Sequence, residues 1–215
     1  MQNNTFSWDK YNQNPIVGIL RGLTTEEVLK IMPSYVKTGF YTIEITMNSP
    51  KVAETIATLA KEYPELNVGA GTVCTMEDLK IALDAGSQFI VTPIIDEEVI
   101  KHCVANNIPI FPGAYTPTEI YKAWSWGASA VKVFPATQLG VQYIKDVLAP
   151  LNEIKLLPTG GVSADNIKSF FEAGAVGAGL ASALFDKKMI REGNYADLEK
   201  HFIKMKNEIK DFIKE

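Results

Sequence analysis

Two charged residues stand in runs where packing alone would put none. Glu44 interrupts Tyr41-Thr42-Ile43-Glu44-Ile45-Thr46, and Lys132 interrupts Ala130-Val131-Lys132-Val133-Phe134. Both runs have the two-residue period of a strand. If Ile43 and Ile45 face a covering layer, then Thr42, Glu44 and Thr46 point to the opposite side; Val131 and Val133 leave Lys132 in the same situation. Burying either charge costs several kcal/mol unless it is paired or neutralised. An ordinary lysine, with a pKa of about 10.4, is protonated at neutral pH and cannot attack a carbonyl. Desolvation disfavours the ammonium and yields a usable amine, the condition of Schiff-base lysines. An amine and a carboxylate in one cavity, titrating as a coupled pair, point to carbonyl chemistry through an imine. Two alternatives stay open: an ion pair that only fixes the structure, and a strand register one residue away, which would turn one charge outward.

Positioning such a pair requires strands that share an interior. Short runs rich in valine and isoleucine recur at 16–20, 41–46, 67–71, 89–92, 108–112, 130–134, 155–159 and 175–179. Helical spacing fills the intervals, as in Thr25–Lys37 with Val28, Leu29, Met32 and Val36. Thr24 or Thr25, Thr75, Thr116 and Ser163 offer N-caps, with Glu26, Glu77, Glu119 and Asp165 following them. Strict alternation implies parallel strands covered by helices. Eight units of about 27 residues fill the 215-residue chain, close to the lower size of a (β/α)8 barrel. An open doubly wound sheet is the competing layout, but no G-x-G-x-x-G follows the first run. The expected architecture is therefore a single (β/α)8 TIM barrel domain over 1–215. An N-terminal segment before Pro15 is expected to cap its bottom, and an additional C-terminal helix spans about Tyr195 to Lys214. Glu44 and Lys132 then lie on the second and sixth runs, facing each other across the interior.

Composition narrows the classes. The chain is 47% apolar and 21% charged, with 21 basic against 25 acidic side chains, and has no long apolar span and no basic block. A membrane protein, a secreted protein and a nucleic-acid binder are not expected. Cys74 and Cys103 make no disulfide framework, so a reducing cytoplasm is the expectation. His102 and His201 lack a zinc-site spacing, so neither a metal nor another cofactor is expected.

In a barrel the ends of the runs gather at the C-terminal face, where active sites form. Gly160-Gly161 follows the seventh run and Ser182 the eighth, the usual phosphate position, with helix N-termini expected near Ser163 and Ser182. Arg21 ends the first run and suits a carboxylate or phosphate, or an inter-loop salt bridge. Thr72 could donate to a substrate carboxylate. Trp124 and Trp126 read as packing or interface residues on a helix.

Taken together, Ile43-Glu44-Ile45-Thr46, Val68-Gly69-Ala70-Gly71-Thr72-Val73, Val91-Thr92-Pro93, Phe111-Pro112-Gly113, Val131-Lys132-Val133-Phe134-Pro135-Ala136 and Leu157-Pro158-Thr159-Gly160-Gly161-Val162 resemble the 2-keto-3-deoxy-6-phosphogluconate aldolases. The similarity runs from about Pro15 to Leu184 and follows the family's order. It implies a class I aldolase without a metal, a (β/α)8 barrel and a homotrimer. By the same resemblance Lys132 is the Schiff-base lysine and Glu44 the general acid/base. Thr72 binds the carboxylate, Pro93, Phe134 and Thr159 line the substrate site, and Gly160, Gly161 and Ser182 form the phosphate pocket. One position departs: gluconate-type members carry arginine where this chain has Asn48. The Asn48-Ser49-Pro50 run, with Leu20-Arg21-Gly22, looks more like the 2-keto-3-deoxy-6-phosphogalactonate aldolases.

The reaction so implied is cleavage of a 2-keto-3-deoxy-6-phospho sugar acid, of gluconate or galactonate configuration, to pyruvate and glyceraldehyde 3-phosphate. Alternatives are 4-hydroxy-2-oxoglutarate cleavage through the same imine, a phosphosugar isomerase without a covalent step, and a non-catalytic sugar-acid binding barrel.

Overall fold

The computed structural model describes residues 5–213. Nine strands are found among them: β1 (Ile16–Leu20), β2 (Thr42–Thr46), β3 (Asn67–Gly71), β4 (Ile90–Val91), β5 (Ile110–Phe111), β6 (Gly113–Ala114), β7 (Val131–Val133), β8 (Leu156–Pro158) and β9 (Ala178–Leu180). The helices between and around them are α1 (Trp8–Gln13), α2 (Thr25–Lys37), α3 (Val52–Glu62), α4 (Met76–Asp84), α5 (Glu97–Ala105), α6 (Pro117–Ser125), α7 (Gly140–Leu148), α8 (Ile167–Glu172), α9 (Lys187–Arg191) and α10 (Tyr195–Glu208). Strand pairs are parallel throughout, in the orders β5-β4-β3-β2-β1-β9 and β6-β7-β8. The architecture is an α/β fold with a curled parallel sheet.

The fifth expected run is split at Pro112. Proline has no N–H for a ladder, and the Pro112 carbonyl instead accepts the Lys132 N–H at 2.9 Å. The last run begins at Ala178 rather than Ala175. Gly177 is pressed against the Tyr11 hydroxyl and the Pro15 carbonyl, and pairing with β1 starts only at Ile16 opposite Ala178. Between β8 and β9 a single parallel bridge joins Thr159 to Gly179.

Capping boxes start α2 (Thr24 with Glu27), α4 (Thr75 with Asp78) and α6 (Thr116 with Glu119), each pairing a hydroxyl and a carboxylate with otherwise orphaned N–H groups. Ser163 caps no helix. Its N–H is consumed by Asn166 Oδ1 at 2.9 Å, and α8 begins only after Asn166. Ser182 also lies in a turn, where the Leu184 and Phe185 N–H groups return to the Ala181 carbonyl at 3.0 and 2.9 Å. The expected helix N-termini at these two serines are absent because the chain closes local turns there first.

The apolar side chains form two layers, as the alternation requires. Ile43, Ile45, Val131 and Val133 belong to the large layer under the helices. Val17, Phe89, Val91, Phe111 and Leu157 form a second cluster inside the curl, sealed below by Tyr11 and Phe6. The N-terminal segment is tied there by Asn67, whose side chain accepts the Ser7 N–H at 2.8 Å and donates to the Ser7 carbonyl at 2.9 Å. Residues 1–4 of that segment lie outside the described residues. The C-terminal helix ends at Glu208 and is followed by a 3-10 turn over Lys210–Phe212, Lys214 lying outside the described residues. No helix of the described residues is long and apolar enough to cross a membrane.

Phe111 is 1% exposed and meets Phe89, Tyr11, Trp8 and Phe6 at centroid distances of 5.8 to 6.4 Å. Phe111→Ala is expected to cost about 3–5 kcal/mol, read as a lower midpoint in urea unfolding.

Candidate active site

β2 and β7 hold the two charges in the orientation that their flanking aliphatics require. In the ladder, Glu44 stands between Ile19 and Gly69, and Lys132 between Gly113 and Leu157. Both are almost wholly enclosed, at 1% and 3% exposure. Small residues make the room: a Cβ on Gly71 would overlap the Glu44 carboxylate, and one on Gly179 would overlap Thr159 Oγ1.

The pair is near enough to interact electrostatically but forms no ion-pair contact among the described residues. Lys132 Nζ lies 4.7 Å from the centroid of the Phe134 ring. Glu44 Oε2 and Thr159 Oγ1 are buried without hydrogen-bond partners and both border one small interior space, with Val17, Val91 and Leu157 among its other walls. A merely structural ion pair would join its charges directly and satisfy its oxygens. Here the two charges are not joined, and the acid keeps an acceptor without a partner among the described residues.

Burial pushes the Glu44 carboxyl up to about 7, against the opposing pull of Lys132 and Arg21. Burial lowers the Lys132 ammonium, Glu44 opposes that shift, and the Arg21 charge adds to it. A carboxyl near neutrality can both take and return a proton, and a lysine that readily loses its proton can add to a carbonyl. Both groups are strained in their charged forms. Replacing the two together, Glu44→Gln/Lys132→Met, is expected to stabilise the protein by about 1–4 kcal/mol at pH 7, seen as a raised melting temperature. The sign for Glu44 follows from linkage: the folded state holds its proton up to about 7, above the ordinary value of 4.5, so its cost appears as pH rises through that window. The stabilisation by Glu44→Gln alone should therefore be larger at pH 8 than at pH 5.

The other expected site residues sit at the C-terminal ends of the strands. Arg21 follows β1, is exposed and makes no ion pair among the described residues, so the alternative of an inter-loop salt bridge is not realised there. It shares a cavity of about 170 Å³ with Ser182 and Lys187. Asn48 is exposed after β2. Thr72 takes a left-handed backbone conformation, φ 60, which a β-branched residue adopts at a cost. Pro93 and Phe134 are half-buried after β4 and β7. Gly160 and Gly161 also have positive φ; Gly160 lies against Phe134 and Pro135, while Gly161 is pressed on Thr137.

Two contributors were not apparent in the sequence. Ser49 accepts the Gly22 N–H at 2.9 Å and meets Thr46 Oγ1 at 3.0 Å, so one buried hydroxyl binds the Arg21 loop to the Asn48 loop. Lys187, which opens α9, adds a second cation beside Arg21 and Ser182. Ser49 stands inside the Asn48-Ser49-Pro50 run, where nothing in the sequence assigns its hydroxyl a role, and Lys187 carries no sequence signal of its own.

Among known proteins, the family model for KDPG and KHG aldolase matches residues 9–201. The 2-dehydro-3-deoxy-6-phosphogalactonate aldolase of Escherichia coli K12 is 38% identical over 173 residues, covering 80% of this chain and 84% of that protein. The 2-dehydro-3-deoxy-phosphogluconate aldolase of Haemophilus influenzae is 32% identical over 207 residues, 96% of each chain. A solved structure described as native KDPGal superposes with a TM-score of 0.87 at 31% identity, covering 97% of this chain and 98% of the other.

Proposed function

This chain belongs to the KDPG and KHG aldolase family and is an aldolase, and we propose that it cleaves a 2-keto-3-deoxy-6-phospho sugar acid to pyruvate and glyceraldehyde 3-phosphate through an imine on Lys132. The observation that carries this reading is the burial of Lys132 and Glu44 in one interior with no ion-pair contact between them among the described residues. The neutral amine adds to the C2 ketone, and loss of water leaves a protonated imine. Glu44 takes the C4 hydroxyl proton, directly or through one water. The C3–C4 bond then breaks, its electrons pass into the iminium, and the aldehyde departs from a pyruvyl enamine. Glu44 returns the proton to C3, and water hydrolyses the imine to free pyruvate and the amine. Thr72 holds the carboxylate; Pro93, Phe134 and Thr159 line the chain; and Gly160, Gly161 and Ser182 hold the phosphate, with Arg21 at the same rim. Gripping both ends aligns the breaking bond with the imine. Cleavage of 4-hydroxy-2-oxoglutarate is a second activity of the same imine, favoured by the family match.

The galactonate epimer is the better substrate in this proposal. Asn48 in place of the gluconate-type arginine supports that choice, as does the 38% identity with the galactonate-named relative. Paired steady-state kinetics on the two C4 epimers test it. Asn48→Arg should move the kcat/KM ratio toward the gluconate epimer by at least about tenfold; an unchanged ratio in both Asn48→Arg and Arg21→Ala rejects the assignment.

The same reading takes the two sheets as one closed (β/α)8 barrel in a single domain over 1–215. Support comes from the Thr159–Gly179 bridge on one side and from Ile110–Ala114, which runs from one sheet into the other. A homotrimer in the cytoplasm completes the proposal. Exposed Tyr121 and Tyr115, 57% and 40% accessible, offer an apolar contact face, and Cys74 and Cys103 are free thiols. Sedimentation equilibrium reads the subunit number.

A further inference from the structure

A cavity of about 800 Å³ is lined by neither Glu44 nor Lys132. It opens at the other end of the curl, where Pro15, Ala130, Lys155 and Val176 precede β1, β7, β8 and β9. Its walls are aromatic: Trp8, Tyr11, Phe111, Trp124, Phe171 and Phe212. Trp8 and Val176 are 43% and 38% exposed, so apolar surface is presented to water there. This volume is that of a small-molecule site rather than a packing defect.

The one charged side chain on this wall is a cation. Asn12, Ser129 and Lys155 line the cavity and, among the described residues, no aspartate or glutamate does. Lys155 is exposed and, among the described residues, makes no ion pair or side-chain hydrogen bond, whereas Lys30, Lys37, Lys51, Lys80, Lys101, Lys168 and Lys200 each meet a carboxylate. A further group is left unmatched: the hydroxyl of Tyr11, a residue only 4% exposed, is buried without a partner. Flat aromatic faces bind flat rings, and a lone cation at the rim of an apolar wall selects an anion.

We propose that this cavity is a binding site for a planar aromatic anion, its ring against Trp8 and Trp124 and its acidic group at Lys155. A small hydrated anion would leave the aromatic walls unused, and a neutral aromatic would leave the cation without a counter-charge. The site is separate from the aldol chemistry, since it opens at the N-terminal ends of the strands.

The probe is 1-anilinonaphthalene-8-sulfonate, titrated against the native oligomer in which pyruvate has first been fixed on the catalytic lysine by borohydride. The uncharged N-phenyl-1-naphthylamine serves as its control. One saturable site per chain is expected, with quenching of tryptophan emission. Lys155→Glu should weaken the sulfonate about tenfold and leave the neutral amine unchanged, while Trp124→Ala should weaken both. Non-saturating adhesion, equal sulfonate affinity in Lys155→Glu, or no binding because a second copy covers this face would each overturn the proposal. The surface substitution at Lys155 decides the matter even if Trp124→Ala folds poorly.

Discussion

Lys132→Ala should lower kcat/KM for aldol cleavage by at least about 10⁴-fold, while the protein remains folded and at least as stable as the parent. Both halves of that expectation come from the same burial. At 3% exposure the ammonium is disfavoured, which is why the amine is usable, and it is also why the folded state gains little from keeping it. Alanine removes the only nucleophile that β7 turns inward, and no other lysine can substitute: Lys155 stands at the far end of β8, and Lys187 lies on α9 outside the interior. Circular dichroism and a melting curve beside the kinetics separate lost chemistry from lost fold. A variant that retained more than a hundredth of the activity would place the chemistry elsewhere, whether in an isomerase step or on another amine.

Glu44→Gln should divide the reaction rather than abolish it. The imine with pyruvate requires only the amine, so pyruvate should still be captured. Cleavage needs a base at the C4 hydroxyl, and its loss should cost about 10²–10⁴-fold in kcat. The pH profile adds a sharper mark. Burial places the Glu44 carboxyl near 7, so the parent's cleavage rate should climb as pH rises through that region, where the carboxylate form appears. Glutamine does not titrate, and the limb near 7 should disappear, leaving only the dependence contributed by the Lys132 amine. Equal loss of pyruvate capture and cleavage would mean that the carboxyl acts only through packing or through the lysine.

How far the site could be read in advance depends on the residue. The inward direction of Glu44 and Lys132 was legible because strand period is local: Ile43, Ile45, Val131 and Val133 are found in the layer beneath the helices, leaving the charges no other side. The capping threonines Thr24, Thr75 and Thr116 were legible for the same reason, although at two of the three the partner acid is Glu27 or Asp78, one residue beyond the Glu26 and Glu77 expected. Ser163 misled because the same pattern serves a turn when Asn166 takes its N–H first. The break at Pro112 was visible as a residue but not as a consequence, since it depends on which neighbouring strand needs that position's hydrogen bond. The late start of β9 was hidden entirely; its ladder with β1 begins only at Ala178 opposite Ile16, and Gly177 just before it lies close to the Tyr11 hydroxyl.

Electrostatic reach was hidden too. Arg21 read as a ligand contact at a strand end, yet its charge also bears on both Glu44 and Lys132. The Ser49 hydroxyl, which joins the Arg21 and Asn48 loops, belongs to no motif of its own and becomes evident only when both loops are in place. For epimer choice this matters: Asn48 cannot move independently of the segment that carries Arg21, and substitutions at the two positions should not be additive.

The account rests on one nitrogen. Incubation with pyruvate and borohydride, followed by peptide mass mapping, tests it most directly. Reduction of the imine should add one pyruvate-derived group per chain, on the peptide containing Lys132 and on no other, and the adduct should be absent from Lys132→Ala. An adduct on a different lysine, or none at all in an enzyme that turns over, would contradict the covalent mechanism.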